Sequence, residues 1–159
     1  MTTKKRYEDD VNLRSLDTTV IRLDRVLDRP ALVLAETIFF PEGGGQPWDL
    51  GTVNGVALTG VVEVEGQVYH LLDTDGFAPG QPVRLVLDWD RRFDHMQRHC
   101  GEHILSGIFF REFGGVNRGF HVGDEYMTID ISLEHNTDFE TVTCCSVLAY
   151  FPSIFSLPR

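Results

Sequence analysis

Asp88-Trp89-Asp90-Arg91-Arg92-Phe93 marks the point where the chain changes period, and the fold class follows from what lies on either side of it. Downstream, Phe93, Met96, Cys100, His103, Ile104, Gly107, Ile108 and Phe110 or Phe113 recur at the spacing of one helix face. Asp88 or Asp90 is placed to cap the first turn and Gly114-Gly115 to stop the last, so one long helix is predicted. Upstream, from Thr18 to Asp90, the apolar runs are short: Leu32-Val33-Leu34-Ala35, Gly60-Val61-Val62-Glu63-Val64 and Val83-Arg84-Leu85-Val86-Leu87. Asn54-Gly55, Glu65-Gly66 and Pro79-Gly80 separate them as hairpin and tight-turn signals, and the alternation from Val61 to Leu71 implies one wet face. After the helix, Asn117-Arg118-Gly119-Phe120 leads into an alternating strand from Tyr126 to Ile131. The reading is α+β: a small β-barrel over 1–90, then the first part of an α+β domain, a long helix plus a strand, over 91–140.

The chain of 159 residues, 42% hydrophobic, is long enough to bury a core. No stretch approaches the ~20 apolar residues of a membrane span, and the first ten residues hold no apolar secretion signal. Of the three cysteines, Cys144 and Cys145 are neighbours that very rarely bridge each other, which leaves Cys100 over; a reducing, cytoplasmic setting is expected. A formal net charge of −10 argues against broad binding to nucleic acid. Its distribution leaves room for a local basic patch, because Arg84, Arg91, Arg92, Arg98, Arg111 and Arg118 fall around the helix. Scattered, solvated arginines are the alternative.

Within the helix, Arg98-His99-Cys100-Gly101-Glu102-His103-Ile104 sets two imidazoles four residues apart, about 6 Å along the axis and on nearly one face. So spaced, His99 and His103 can share a metal ion, for which zinc is the first choice, although imidazole also suits copper, iron and nickel. The alternative is two histidines with no ligand. Catalytic zinc usually takes three protein ligands, so a further donor is needed. His95 stands about 12 Å along the axis from His103, too far to share an ion, and His121 and His135 are further candidates. Glu102, beside His103, is a candidate base and completes H-x-x-E-H, a motif of zinc peptidases in which Glu activates the bound water.

Pro41-Glu42-Gly43-Gly44-Gly45-Gln46-Pro47 lacks the Lys-Ser/Thr of a phosphate-binding loop. Three glycines permit close approach of a ligand to the backbone, and Gln46 offers both donor and acceptor; a tight strand connection is the plainer reading. This loop, Trp48-Asp49-Leu50-Gly51 after it and the later His99–His103 pair occur in an order that resembles the editing domain of alanyl-tRNA synthetase and its free-standing relatives, the AlaX proteins. The likeness runs from about Thr18 to Ser132. It implies hydrolysis of the aminoacyl ester of tRNA(Ala) mischarged with serine or glycine, with the acceptor end of tRNA(Ala) as partner. It also implies that 91–140 is part of an editing core and that His99 and His103 hold zinc. Gly43, Gly44, Gly45, Gln46 and Thr37 would line the substrate pocket, with Thr37 at the position that senses the serine hydroxyl. Gln46, Glu102 and Asn117 are the catalytic candidates, Asn117 as a group that orients substrate or water.

In that family a Cys-x-x-x-His pair completes the zinc site, and no such pair follows His103 here. Residues 141–159, apolar and broken by Pro152 and Pro158, resemble neither preceding part. The expectation is a truncated or frame-shifted tail, with Cys144 and Cys145 as substitute ligands the lesser alternative, and an incomplete zinc site. Two other functions remain open from the residues: a binding module for tRNA or aminoacyl-adenosine without catalysis, and a zinc peptidase.

Overall fold

A computed structural model describes residues 2–26, 28–123 and 127–133. Among these residues it is strand-rich and mixed α+β with one α-helix, as the change of period predicts. The strands are β1 (Lys4–Lys5), β2 (Ser15–Val26), β3 (Arg29–Leu34), β4 (Glu36–Thr37), β5 (Gly51–Val53), β6 (Val56–Ala57), β7 (Gly60–Val64), β8 (Gln67–Leu71) and β9 (Pro82–Leu87), followed by helix α1 (Trp89–Phe113) and strands β10 (Val116–Val122) and β11 (Met127–Ser132). The chain divides into two compact units, Met1–Asp94 and His95–Arg159, with α1 crossing the boundary.

The first unit is built on a seven-stranded sheet in the order β6-β5-β9-β2-β3-β8-β7. Its organising strand is β2, whose twelve residues serve two neighbours. Ser15 to Thr19 pair with β9, Val20 to Val26 pair with β3, and the register shifts between Val20 and Arg22. Such a bulge bends a strand and increases its twist. The predicted turns close two hairpins, since Val53 pairs with Val56 across Asn54-Gly55 and Val64 pairs with Gln67 across Glu65-Gly66. Between β6 and β7 the backbone passes from one end of the sheet to the other: Leu58 N–H bonds to Gly51 O and Thr59 N–H to Leu71 O, each at 2.9 Å. Val20, Leu32, Leu34, Val53, Val61, Val68, Val83 and Leu85, drawn from both halves of the sheet, share one buried cluster with Ile38 and Phe39.

The loop between β4 and β5 is pinched at its neck. Phe40 N–H donates to Asp49 Oδ2 at 2.6 Å, and Asp49 N–H returns a bond to Phe40 O at 3.0 Å. Asp49 is fully buried and its partner Arg92 is 4% exposed. The guanidinium donates to both carboxylate oxygens of Asp49 and, at 2.8 Å, to Ile38 O. Gly51, two residues beyond Asp49 and first in β5, lies so close to β9 that an added Cβ would stand 2.2 Å from Val86 O and 2.6 Å from the Phe39 ring.

Asp88 rather than Asp90 caps α1: its Oδ1 accepts Arg91 N–H at 3.1 Å. At the far end Gly114 N–H returns to Phe110 O and Gly115 N–H to Phe109 O. In the second unit, the segment from Asn117 that reads as a lead-in is itself a strand. β10 pairs antiparallel with β11, and a register shift between Asn117 and Gly119 accommodates the two residues that look like loop. Such a bulge absorbs an extra residue while the ladder continues on both sides.

Removing Asp49 would leave the Arg92 charge buried and unpaired. Asp49→Ala is expected to lower stability by about 3–5 kcal/mol, measured by urea unfolding, whereas truncating exposed Asp17 should cost almost nothing.

Candidate functional site

Helix α1 brings His99, Glu102 and His103 together, with one donor atom of each within 4.8 Å of the others. The two imidazole centroids are 4.8 Å apart, and the His99 ring lies 5.1 Å from the Phe120 ring on β10. Two imidazoles and a carboxylate form a borderline nitrogen and oxygen set that suits zinc. Bonds of ~2.0–2.1 Å place the donors of a tetrahedral ion about 3.4 Å apart, so the widest separation in the cluster would have to close by up to about 1.4 Å around one. His95, 2% exposed, and His121, exposed on β10, are outside this cluster. His135, Cys144 and Cys145 lie outside the described residues.

Glu102 is fully buried. Its Oε1 accepts the Ser106 hydroxyl at 2.5 Å and the Asn117 amide N–H. Asn117 Nδ2 also lies 2.8 Å from Ser106 Oγ, and its Oδ1 accepts Gly119 N–H at 2.8 Å. Both ends of the Asn117 amide are therefore engaged by the protein. Glu102 Oε2 stands 3.1 Å from His103 Nδ1. Spacing brings out His99, Glu102 and His103. Ser106 carries no motif of its own; its signal in the sequence is that it stands one helical turn beyond Glu102, at the i to i+4 distance where such pairs meet.

The remaining candidates belong to the first unit. Gly43 and Gln46 exchange two backbone hydrogen bonds of 3.1 Å, enclosing Gly44 at φ 61° and Gly45 at φ 78°. Two central residues of positive φ make a turn that side chains disfavour, and this explains Gly44 and Gly45. A Cβ added at Gly43 or Gly44 would meet nothing within 4 Å, so the protein's own packing does not demand them. Gln46 is 9% exposed.

Thr37 is fully buried, and its hydroxyl is 2.7 Å from Nε2 of His70 while accepting Phe39 N–H at 3.1 Å. His70 is also fully buried, with Nδ1 3.1 Å from Leu32 O. A carbonyl only accepts, so Nδ1 carries the proton, Nε2 is the acceptor and the Thr37 hydroxyl donates to it. Burial pushes the His70 pKa from 6.5 down to about 4, with the Leu32 carbonyl opposing more weakly. This histidine reads in the sequence as an ordinary strand residue.

The arginines around α1 are less available than their number implies. Arg92 is spent on Asp49, Arg98 donates to Gly123 O at 2.7 Å, and Arg111 pairs with Glu112.

The depressed His70 pKa has a signed consequence. The unfolded chain takes up a proton near pH 6.5, the native state only near pH 4, so this contribution is complete above 6.5 and is lost as the pH falls toward 4. The loss should reach about 3 kcal/mol in urea unfolding across that window, and the slope should be reduced in His70→Gln.

No family model matches the chain. It is 36% identical to the alanyl-tRNA editing protein AlaX-L of Pyrococcus horikoshii over 83% of its own length and 34% of that protein. It is likewise 36% identical to the alanyl-tRNA editing protein Aarsd1 of Rattus norvegicus, over 81% of the chain and 30% of the relative. Against the alanine–tRNA ligase of Pyrococcus abyssi the identity is 36% over 82% of the chain and 15% of the enzyme. The chain thus spans about a third or less of the length of these relatives.

Proposed function

From the homology of this chain to the alanyl-tRNA editing proteins, we propose that it serves in hydrolysing the aminoacyl ester of tRNA(Ala) mischarged with serine or glycine. The observation that carries the proposal is the His99–Glu102–His103 cluster on α1, in a chain with these relatives. His99 and His103 would hold a zinc ion, whose chemistry when bound is to activate water and polarise the ester carbonyl. The Gly43–Gln46 turn would receive the aminoacyl-adenosine end, with Gln46 as the polar contact. Thr37 would sense a serine hydroxyl through the one lone pair left on an oxygen that donates to His70 and accepts Phe39 N–H. The setting is the cytoplasm, where charged tRNA is found.

We also read the sheet of the first unit as a small barrel. In support, the backbone steps directly from β6, beside β5, to β7, beside β8, and both halves of the sheet contribute to one core. Such a frame would hold the Gly43–Gln46 turn rigidly.

Two imidazoles and an engaged carboxylate do not complete a zinc shell among the described residues, so zinc uptake by this chain is expected to be weak and substoichiometric after dialysis. The test is deacylation of Ser-tRNA(Ala), Gly-tRNA(Ala) and Ala-tRNA(Ala) with zinc added. Loss of serine or glycine with alanine spared, abolished by His99→Ala or His103→Ala, is the expected result. Tight binding of Ser-tRNA(Ala) without turnover would instead select a non-catalytic module. Cleavage of casein with no deacylation would make the chain a peptidase with Glu102 as its base, against which the full burial of Glu102 already speaks.

A further inference from the structure

We infer that Glu102 is a positioning residue for His103: it accepts the Nδ1–H of that imidazole and so holds it as the tautomer whose Nε2 is the free donor. The use of Nε2 for a metal ion rests on the function proposed above; the tautomer does not.

The argument starts from burial. A fully buried carboxylate is tolerated only where its oxygens find donors. Oε1 is supplied by Ser106 and Asn117. Asn117 has one orientation, because its Oδ1 accepts Gly119 N–H and its Nδ2 must then face Glu102. Ser106 accepts from that same Nδ2 and gives its own proton to Glu102. Among the described residues Oε2 has no aligned hydrogen bond, and His103 Nδ1 stands 3.1 Å from it. A carboxylate oxygen only accepts, so the proton belongs on Nδ1 and the lone pair on Nε2. The His103 side chain is 69% exposed, which leaves its far edge open to an ion. A carboxylate behind a ligating histidine fixes ring and tautomer in this way and raises the basicity of the donor. The same arrangement leaves Glu102 poorly placed to meet a water molecule as a base.

The test is nitrogen NMR of the metal-free, histidine-labelled chain at about pH 8.5, well above the ordinary histidine pKa, with the His103 signals assigned through His103→Ala. Wild type should show the Nδ1–H form. In Glu102→Gln the new carbonyl takes over the bonds from Ser106 and Asn117, and the new amide N–H points at His103. Its Nδ1 must then accept, and the signal should move to the Nε2–H form. Cobalt(II) affinity, read by competition with a chromophoric chelator, should fall about 10–100-fold in the same variant. Asn117→Ser, which loosens Glu102 without changing its charge, should give a mixture of tautomers, and it decides the matter if Glu102→Gln does not fold. A wild-type Nε2–H form, or a tautomer indifferent to both variants, overturns the proposal. A tautomer that shifts as expected in a chain that takes up no cobalt supports the proposal and removes the metal-dependent function instead.

Discussion

The buried ion pair of Asp49 and Arg92 is the constraint on which the first unit depends. Two charges removed from water recover their desolvation cost only when geometry is good and the leftover hydrogen-bonding positions are filled. Both conditions hold. The guanidinium spans both Asp49 oxygens and reaches Ile38 O, while Asp49 also accepts Phe40 N–H. One interaction therefore joins the neck of the glycine loop, the end of the buried Ile38-Phe39 segment and the first turn of α1. Gly51 is bound by the same arrangement, because the backbone leaving Asp49 has to pass directly against Val86 and Phe39.

What the sequence disclosed was local. The hairpins at Asn54-Gly55 and Glu65-Gly66 and the stop at Gly114-Gly115 carry their signal in adjacent residues, and they were legible. Where the partner was distant, the reading failed or was silent. Arg92 counts in the sequence as one more surface cation, since nothing beside it reveals a carboxylate 43 residues earlier. β10 reads as a lead-in because Asn117 and Gly119 are turn formers, and only a pairing strand shows that they occupy a bulge. His99 and His103 were legible through helical spacing, but the inward direction of the Glu102 carboxylate was not, because Asn117 stands 15 residues away on that bulged strand.

Burial sorts the histidines that the sequence leaves alike. His70 has both ring nitrogens engaged in the core of the first unit and is held neutral there; it orders Thr37 and is in no position to bind an ion. His99 and His103 lie with Glu102 in the donor cluster, and the His103 side chain is mostly exposed. One type of side chain thus stands in opposite settings in the two units: in one it closes a buried hydrogen-bond network, in the other it belongs to a donor cluster exposed at His103.

The letters H-x-x-E-H are shared by two chemistries, and the direction in which the glutamate faces separates them. A base must meet water, which requires at least one carboxylate oxygen to be reachable. Here Oε1 is turned to Ser106 and Asn117, Oε2 faces His103, and neither has measurable contact with solvent. A carboxylate so enclosed can orient the neighbouring imidazole but is poorly placed to move a substrate's protons. In the function proposed above, activation of water would therefore fall to the metal ion that His99 and His103 would hold, and not to Glu102.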